Sequence, residues 1–73
     1  MQDLSIGERL SLIRKRHKEN QHELADAIKF GDATISRLER NITKPSPELL
    51  VAICQHYDIS ADWLLGLKGG ANE

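Results

Sequence analysis

The stretch NQHELADAIKFGDATISRLERN, residues 20–41, decides how this chain folds. A short apolar pattern at helical spacing (Leu24, Ala25, Ile28) stops at Lys29-Phe30-Gly31-Asp32, and a second (Ile35 and Leu38, with Glu39) starts almost at once. Two short helices joined by a tight turn containing glycine form a helix-turn-helix. An ordinary helical hairpin in a small bundle would share that spacing, so three further features carry weight. Gln21 opens the first of the two helices, where its amide can reach a phosphate. The outer face of the second offers small or polar residues: Asp32, Ala33, Thr34, Ser36 and Arg37. Arg40 and Lys44 follow, placed to meet a nucleic-acid backbone. In DNA-binding helix-turn-helix units the second helix enters the major groove.

Working outward, the N-terminal segment reads as a helix starting at Ser5, with Glu8 completing a capping box and Ile6, Leu10, Ile13 and His17 facing the core. The run Arg14-Lys15-Arg16-His17-Lys18 closes it. Cations there complement the helix dipole, and Lys15, Arg16 and Lys18 are equally placed for DNA contact. Asn20 caps the second helix with Glu23 in the capping-box position. Gly31 or Asp32 caps the third, which runs to about Arg40 and ends on Asn41, a residue that tolerates positive φ.

After the linker Ile42-Thr43-Lys44-Pro45, Ser46-Pro47-Glu48 is a helix-start signal, and Leu49, Leu50, Ile53, Cys54 and Tyr57 form the most apolar helix. Ser60 caps a short fifth helix carrying Trp63, Leu64 and Leu65, and Gly66 ends it. No strand pattern occurs. The expectation is an all-α, five-helix domain over residues 1–67 and a flexible tail over residues 68–73.

Composition narrows the class. A chain of 73 residues holds one domain and one core, and chains this short bury only about 60% of their unfolded surface. No run approaches the roughly 18 apolar residues of a membrane helix, and the first 16 residues do not read as a signal peptide. The lone Cys54 sits in an apolar segment and reads as a small buried hydrophobe, consistent with a reducing, cytoplasmic location. Net charge is -1, but its distribution is uneven. Residues 1–44 hold nine Lys or Arg against seven Asp or Glu, whereas residues 45–73 hold one against four. The mildly basic half contains the reading head, and the acidic half is expected to face a partner subunit or solvent.

The strings Gln21-His22-Glu23-Leu24-Ala25, Thr34-Ile35-Ser36-Arg37-Leu38-Glu39-Arg40, Lys44-Pro45-Ser46 and Asp62-Trp63-Leu64-Leu65-Gly66, in this order and spacing, resemble the phage-repressor (Cro/XRE-type) helix-turn-helix family. The likeness runs from about Ile6 to Gly66. It implies a lambda-repressor-like five-helix domain that binds operator DNA, usually as a dimer on a two-fold symmetric site. By the same resemblance, Asp32, Ala33 and Arg37 occupy base-reading positions. Gln21 contacts a phosphate, and Gly31, Thr34 and Arg40 lie near the backbone or groove edge. Arg14 and Glu39 match a pair that forms a buried ion pair in several relatives. Their own placement agrees, since each is a charge on an apolar face and a buried charge needs a partner.

The chain also departs from that pattern. Lys29 stands where relatives usually carry the turn glycine, and Gly31 stands where they carry a Ser or Thr cap. The turn glycine is therefore expected to be displaced, with a slightly altered turn. Lys18-Glu19 replaces a glycine plus an apolar residue. Asp32 puts a negative charge at a reading position, where it can accept from cytosine N4 but repels phosphate.

The expected function is sequence-specific DNA binding by a transcriptional regulator, which the resemblance implies is a phage, prophage or bacterial repressor. Arg37 would read guanine bidentately, and Gln21, Arg40 and Lys44 would position the phosphates. The partners expected are double-stranded DNA with a palindromic operator and a second copy of the chain, joined through Trp63, Leu64 and Leu67. For Trp63 the alternative is a role closing the core against Tyr57 and Ile53. The alternative is a protein-interaction module or antitoxin of the same fold with weak or no DNA binding. Catalysis fits worst. His17, His22 and His56 are scattered, Cys54 and His56 fall on different helix faces, and no glycine-rich phosphate loop exists, so no enzyme activity, metal or cofactor is expected.

Overall fold

In a computed structural model, residues 4–67 are described, and they form five helices with no strand among them. These are α1 (Ile6–Arg16), α2 (Gln21–Ile28), α3 (Asp32–Glu39), α4 (Pro47–Tyr57) and α5 (Ala61–Leu65). The expected tail, 68–73, lies outside the described residues. No described helix is long and apolar enough to cross a membrane.

Local chemistry sets the helix starts. Ser5 and Asn20 each build a capping box, with Glu8 and Glu23 respectively, which satisfies otherwise orphaned N–H groups. Ser46 accepts from the Leu49 N–H with Pro47 in the first turn, and Ser60 accepts from the Trp63 N–H. Only α3 lacks a side-chain cap. Its cap residue is Gly31, so Asp32 becomes the first helical residue.

The helix ends hold more surprises. Asn41 takes positive φ as its residue type foretells, but so do Lys18, Lys29 and Asp58. The turn between α2 and α3 is closed by Lys29 itself, at φ 65° and ψ 39°, while Gly31 has an ordinary φ of -77°. The expectation of a displaced turn glycine is thus corrected. The left-handed residue stays at position 29, and lysine bears the steric cost there because the packing of α2 on α3 fixes the turn. Lys18 does the same after α1.

The core comprises Leu10, Ile13, Leu24, Ala25, Ile35, Leu38, Leu49, Ile53, Tyr57 and Leu64. Leu10, Leu24, Ile35, Leu38, Ile53 and Leu64 are fully enclosed, each contributing about 1.5–3 kcal/mol relative to exposure. α3 packs against both α1 and α2, α4 braces α2, and α5 bridges α1 and α4. The third helix is therefore held from behind by two others, leaving one face free. His17, expected inside, is exposed. It is the cap of α1, and its ring lies 4.8 Å from that of Tyr57, which covers part of the core rim.

The seam between α1 and α3 depends on Gly7. A Cβ at that position would collide with the backbone carbonyl oxygens of Glu39 and Leu38, standing 2.6 Å from the latter. The Gly7 N–H donates to Asn41 Oδ1 at 3.1 Å, and Asn41 Nδ2 donates to Ser5 Oγ at 3.0 Å. Asn41 thus ends α3 and ties the start of α1 to it.

Candidate nucleic-acid interface

The exposed face of α3 begins with Asp32 and Ala33 and continues, one turn on, to Arg37; all three are exposed. Thr34 and Ser36 are half-buried on the flanks, and Ile35 and Leu38 point into the core. Residues 33 and 37 stand one above the other at the spacing that aligns helical side chains. Arg40 is exposed just past the helix end, and its Nε approaches Ser36 O at 3.4 Å. Gly31 is exposed at the mouth of the turn, where a Cβ would meet only the Thr34 hydroxyl, at an ordinary contact distance of 3.9 Å.

Behind this face lies a charged network. Arg14 Nε and Nη2 donate to the two carboxylate oxygens of Glu39 at 2.6 and 3.0 Å, and Arg14 Nη1 donates to the Glu19 carbonyl at 2.7 Å. The side chains are only 9% and 7% exposed, and the fork-on-carboxylate geometry keeps the Arg14 pKa above its ordinary value. Glu39 also accepts from Gln21 Nε2 at 3.0 Å. One carboxylate on α3 thus fixes a side chain of α1 and the first residue of α2. Gln21, expected to reach a phosphate, is half-buried with one amide proton committed inward, and the second remains to donate outward.

The position of Glu19, where an apolar residue was the family expectation, proves to be a polar hub. Tyr57 donates its hydroxyl to Glu19 Oε1 at 2.7 Å, and His56 Nε2 lies 3.0 Å from Oε2. Burial opposes ionisation of Glu19, but hydrogen bonds from Tyr57 and His56 outweigh it and hold the carboxyl below its usual range. Burial and the Glu19 contact push the Tyr57 phenol up. Sequence reading passed over this cluster because Glu19, in the turn after α1, lies far along the chain from the neighbours His56 and Tyr57 at the end of α4. Burial likewise pushes the Cys54 thiol up, which makes it a poor nucleophile. Among the described residues, no group of three or more His, Cys, Asp and Glu is arranged to hold a metal.

His22, read from sequence as one of three scattered histidines, is paired with the reading helix. Its Nδ1 lies 3.0 Å from both carboxylate oxygens of Asp32, and both side chains are open to solvent. Two residues on different helices therefore share the edge of the face.

The expected self-association surface needs one correction. Leu64 is fully enclosed by the core and offers no surface for a partner. Trp63 is half-buried, packed against the core, with the Arg9 guanidinium 5.3 Å from its ring centroid. Leu67 is 72% exposed and Leu65 41%. Nearby, Ile6, Lys44, Pro45, Pro47, Leu50 and Leu65 line an open, apolar groove of about 440 Å³. Lys44, exposed as a backbone contact requires, stands at the rim of that groove.

A helix-turn-helix family model matches residues 10–64. The chain is 35% identical over 63 residues to the HTH-type transcriptional regulator DicA of Escherichia coli, covering 86% of this chain and 47% of that protein. It is 32% identical over 63 residues to the HTH-type transcriptional regulator ImmR of Bacillus subtilis, covering 86% and 50%. The chain thus spans about half the length of the curated relatives it matches. Among solved structures, it resembles the P22 c2 repressor in complex with a synthetic operator, with a TM-score of 0.82, 33% identity, and 86% of this chain and 96% of that one covered. It also resembles the N-terminal DNA-binding domain of SinR from Bacillus subtilis, with a TM-score of 0.78, 31% identity, and 82% and 88% coverage.

Proposed function

This chain belongs to the helix-turn-helix family, and from that premise we infer that it is a DNA-binding transcriptional regulator acting as a repressor, with α3 as the reading element. The observation that carries this reading is the exposed face of Asp32, Ala33 and Arg37 on a helix braced from behind by a buried ion pair. A helix so held loses little freedom on entering a groove, which is the condition for tight recognition. In the complex, Arg37 would place its two-pronged donor against guanine O6 and N7, and Ala33 would offer its methyl to thymine. Gln21, Gly31, Thr34, Arg40 and Lys44 would hold the phosphates, Gln21 from the N-terminal end of α2, where the helix dipole favours an anion. The likeness to a repressor bound to a synthetic operator supports the DNA partner. No metal or cofactor enters the reading, and its site of action is the cytoplasm, on the nucleoid.

A second copy of the chain is part of the proposal. Leu65 and Leu67, beside the apolar groove, are the residues assigned to the contact, with Trp63 at its edge. A two-fold axis there would set two α3 helices in successive major grooves, about 34 Å apart, on a palindromic operator.

Selection of bound sites from a pool of random duplexes tests the reading, followed by affinity measurements on the recovered site at several salt concentrations. The expected outcome is enrichment of a symmetric sequence and a steep fall of affinity with salt. No enrichment, with a flat salt response, would favour a protein-interaction module of the same fold and overturn the proposal.

A further inference from the structure

The pairing of His22 with Asp32 is not required by the fold. Both side chains are largely exposed, 71% and 64%, yet the imidazole Nδ1 sits 3.0 Å from each carboxylate oxygen. Asp32 is the first residue of α3 and His22 the second of α2, so the pair spans the mouth of the turn that the DNA surface surrounds. An isolated Asp32 would present a full negative charge to phosphate and only acceptors to bases. Paired, it presents something else.

We propose that His22 is a DNA-facing residue acting with Asp32 as one unit, whose protonation sets both the charge and the hydrogen-bonding polarity that the start of α3 offers to DNA. The inference rests on the DNA-binding reading above. With His22 neutral and its Nδ1–H donated to Asp32, the pair carries one negative charge, and the outer nitrogen, Nε2, is an acceptor. With His22 protonated, the pair is neutral, and Nε2–H becomes a donor able to meet a phosphate or the acceptor edge of guanine. One proton therefore removes a repulsive charge and adds a donor at the same place.

The surroundings favour the charged form. The hydrogen bond to Asp32 leads in raising the His22 pKa above its ordinary value, with Asp32's charge and, on its own helix, Asp26 and Glu23 adding to it. From α4, the other helix packed on α2, His56 is held by Glu19, and Glu48 stands in the first turn. A folded-state pKa raised in this way puts the loss of the proton at a pH above the usual histidine range. Affinity is thus full below the ordinary histidine pKa and falls as pH rises through the raised one. Nearby phosphates would raise it further in the complex.

The test measures binding of a fluorescein-labelled duplex, recovered from the random pool, between pH 6 and pH 8.5 at fixed ionic strength, with the unselected pool in parallel. For the natural chain, affinity should fall about three- to tenfold across the range, as expected for one unit charge several ångströms from a phosphate in a solvated groove. His22→Gln and Asp32→Asn should each flatten the profile, while His56→Gln should leave it intact. Asp32→Asn should also bind at pH 8.5 at least as tightly as the natural chain does there. Because both residues are exposed, a helical circular-dichroism spectrum checks that the variants fold. A profile that survives both substitutions, or one flattened by His56→Gln alone, overturns the inference while leaving DNA binding standing. A natural chain that binds neither duplex at any pH and low salt overturns the DNA-binding reading and, with it, the inference.

Discussion

Arg14 shows most directly what one side chain does here. It reaches across from α1 to grip Glu39, and it also satisfies the Glu19 carbonyl, so its removal leaves an almost fully enclosed carboxylate with only the neutral Gln21 amide beside it. Leaving one member of such a pair buried without its partner costs about 3–5 kcal/mol, a large share of the stability of a domain this size. Arg14→Ala should therefore lower the thermal midpoint steeply, as read by circular dichroism, and Arg14→Lys should recover only part of the loss because an ammonium cannot match the bidentate geometry. The two arginines on the outer face differ from this and from each other. Arg37→Ala should cost about 1–3 kcal/mol on the preferred site and relax the choice at one base pair, whereas Arg40→Ala should weaken all duplexes alike. Binding of a selected and a random duplex by each variant separates the two. The Arg14–Glu39 pair was legible in the sequence because charges on apolar faces must find partners. The His22–Asp32 pair was not, because two exposed polar residues on separate helices leave no trace in spacing.

At the level of the helices, the starts were readable, as were the stops at Asn41 and Gly66, but the other stops were not. Ser5, Asn20, Ser46 and Ser60 all cap as their residue types foretell, because an N-cap is a local bond between neighbours. The stops at Lys18, Lys29 and Asp58 use left-handed backbone without the glycine that makes it cheap, so tertiary packing, which sequence spacing does not record, decides them. A left-handed conformation costs an ordinary residue roughly 1–2 kcal/mol, part of which glycine would give back through its freer unfolded chain. Lys29→Gly should thus stabilise the domain by about 0.5–1 kcal/mol and raise its midpoint by a few degrees. Differential scanning calorimetry reads this directly, and a lowered midpoint would mean that the lysine side chain contributes contacts beyond its backbone.

Taken whole, the molecule divides into a braced reading face and an apolar flank. The five helices and their core were evident from periodicity, but which of the C-terminal leucines turned inward was not. Leu64 and Leu65 are adjacent in sequence, and only the docking of α5 onto α1 and α4 sends the first into the core and the second to the surface. Self-association should accordingly depend on Leu65 and Leu67. Sedimentation of the double variant Leu65→Ser/Leu67→Ser should shift toward the monomer while its midpoint changes little, and the natural chain should sediment as a dimer on the operator. The bare approach of Gly7 to the α3 carbonyls has a consequence of its own. At Gly7 backbone rests on backbone, and the rest of that seam is locked by the Arg14–Glu39 pair and the Asn41 amide, so the two helices should part only when the domain opens as a unit. In deuterated water, the central amides of α1 and those of Leu38 and Glu39 should therefore keep the same slow clock, while those of α5 run faster. The reading helix then meets DNA as a fixed instrument whose alignment was set during folding.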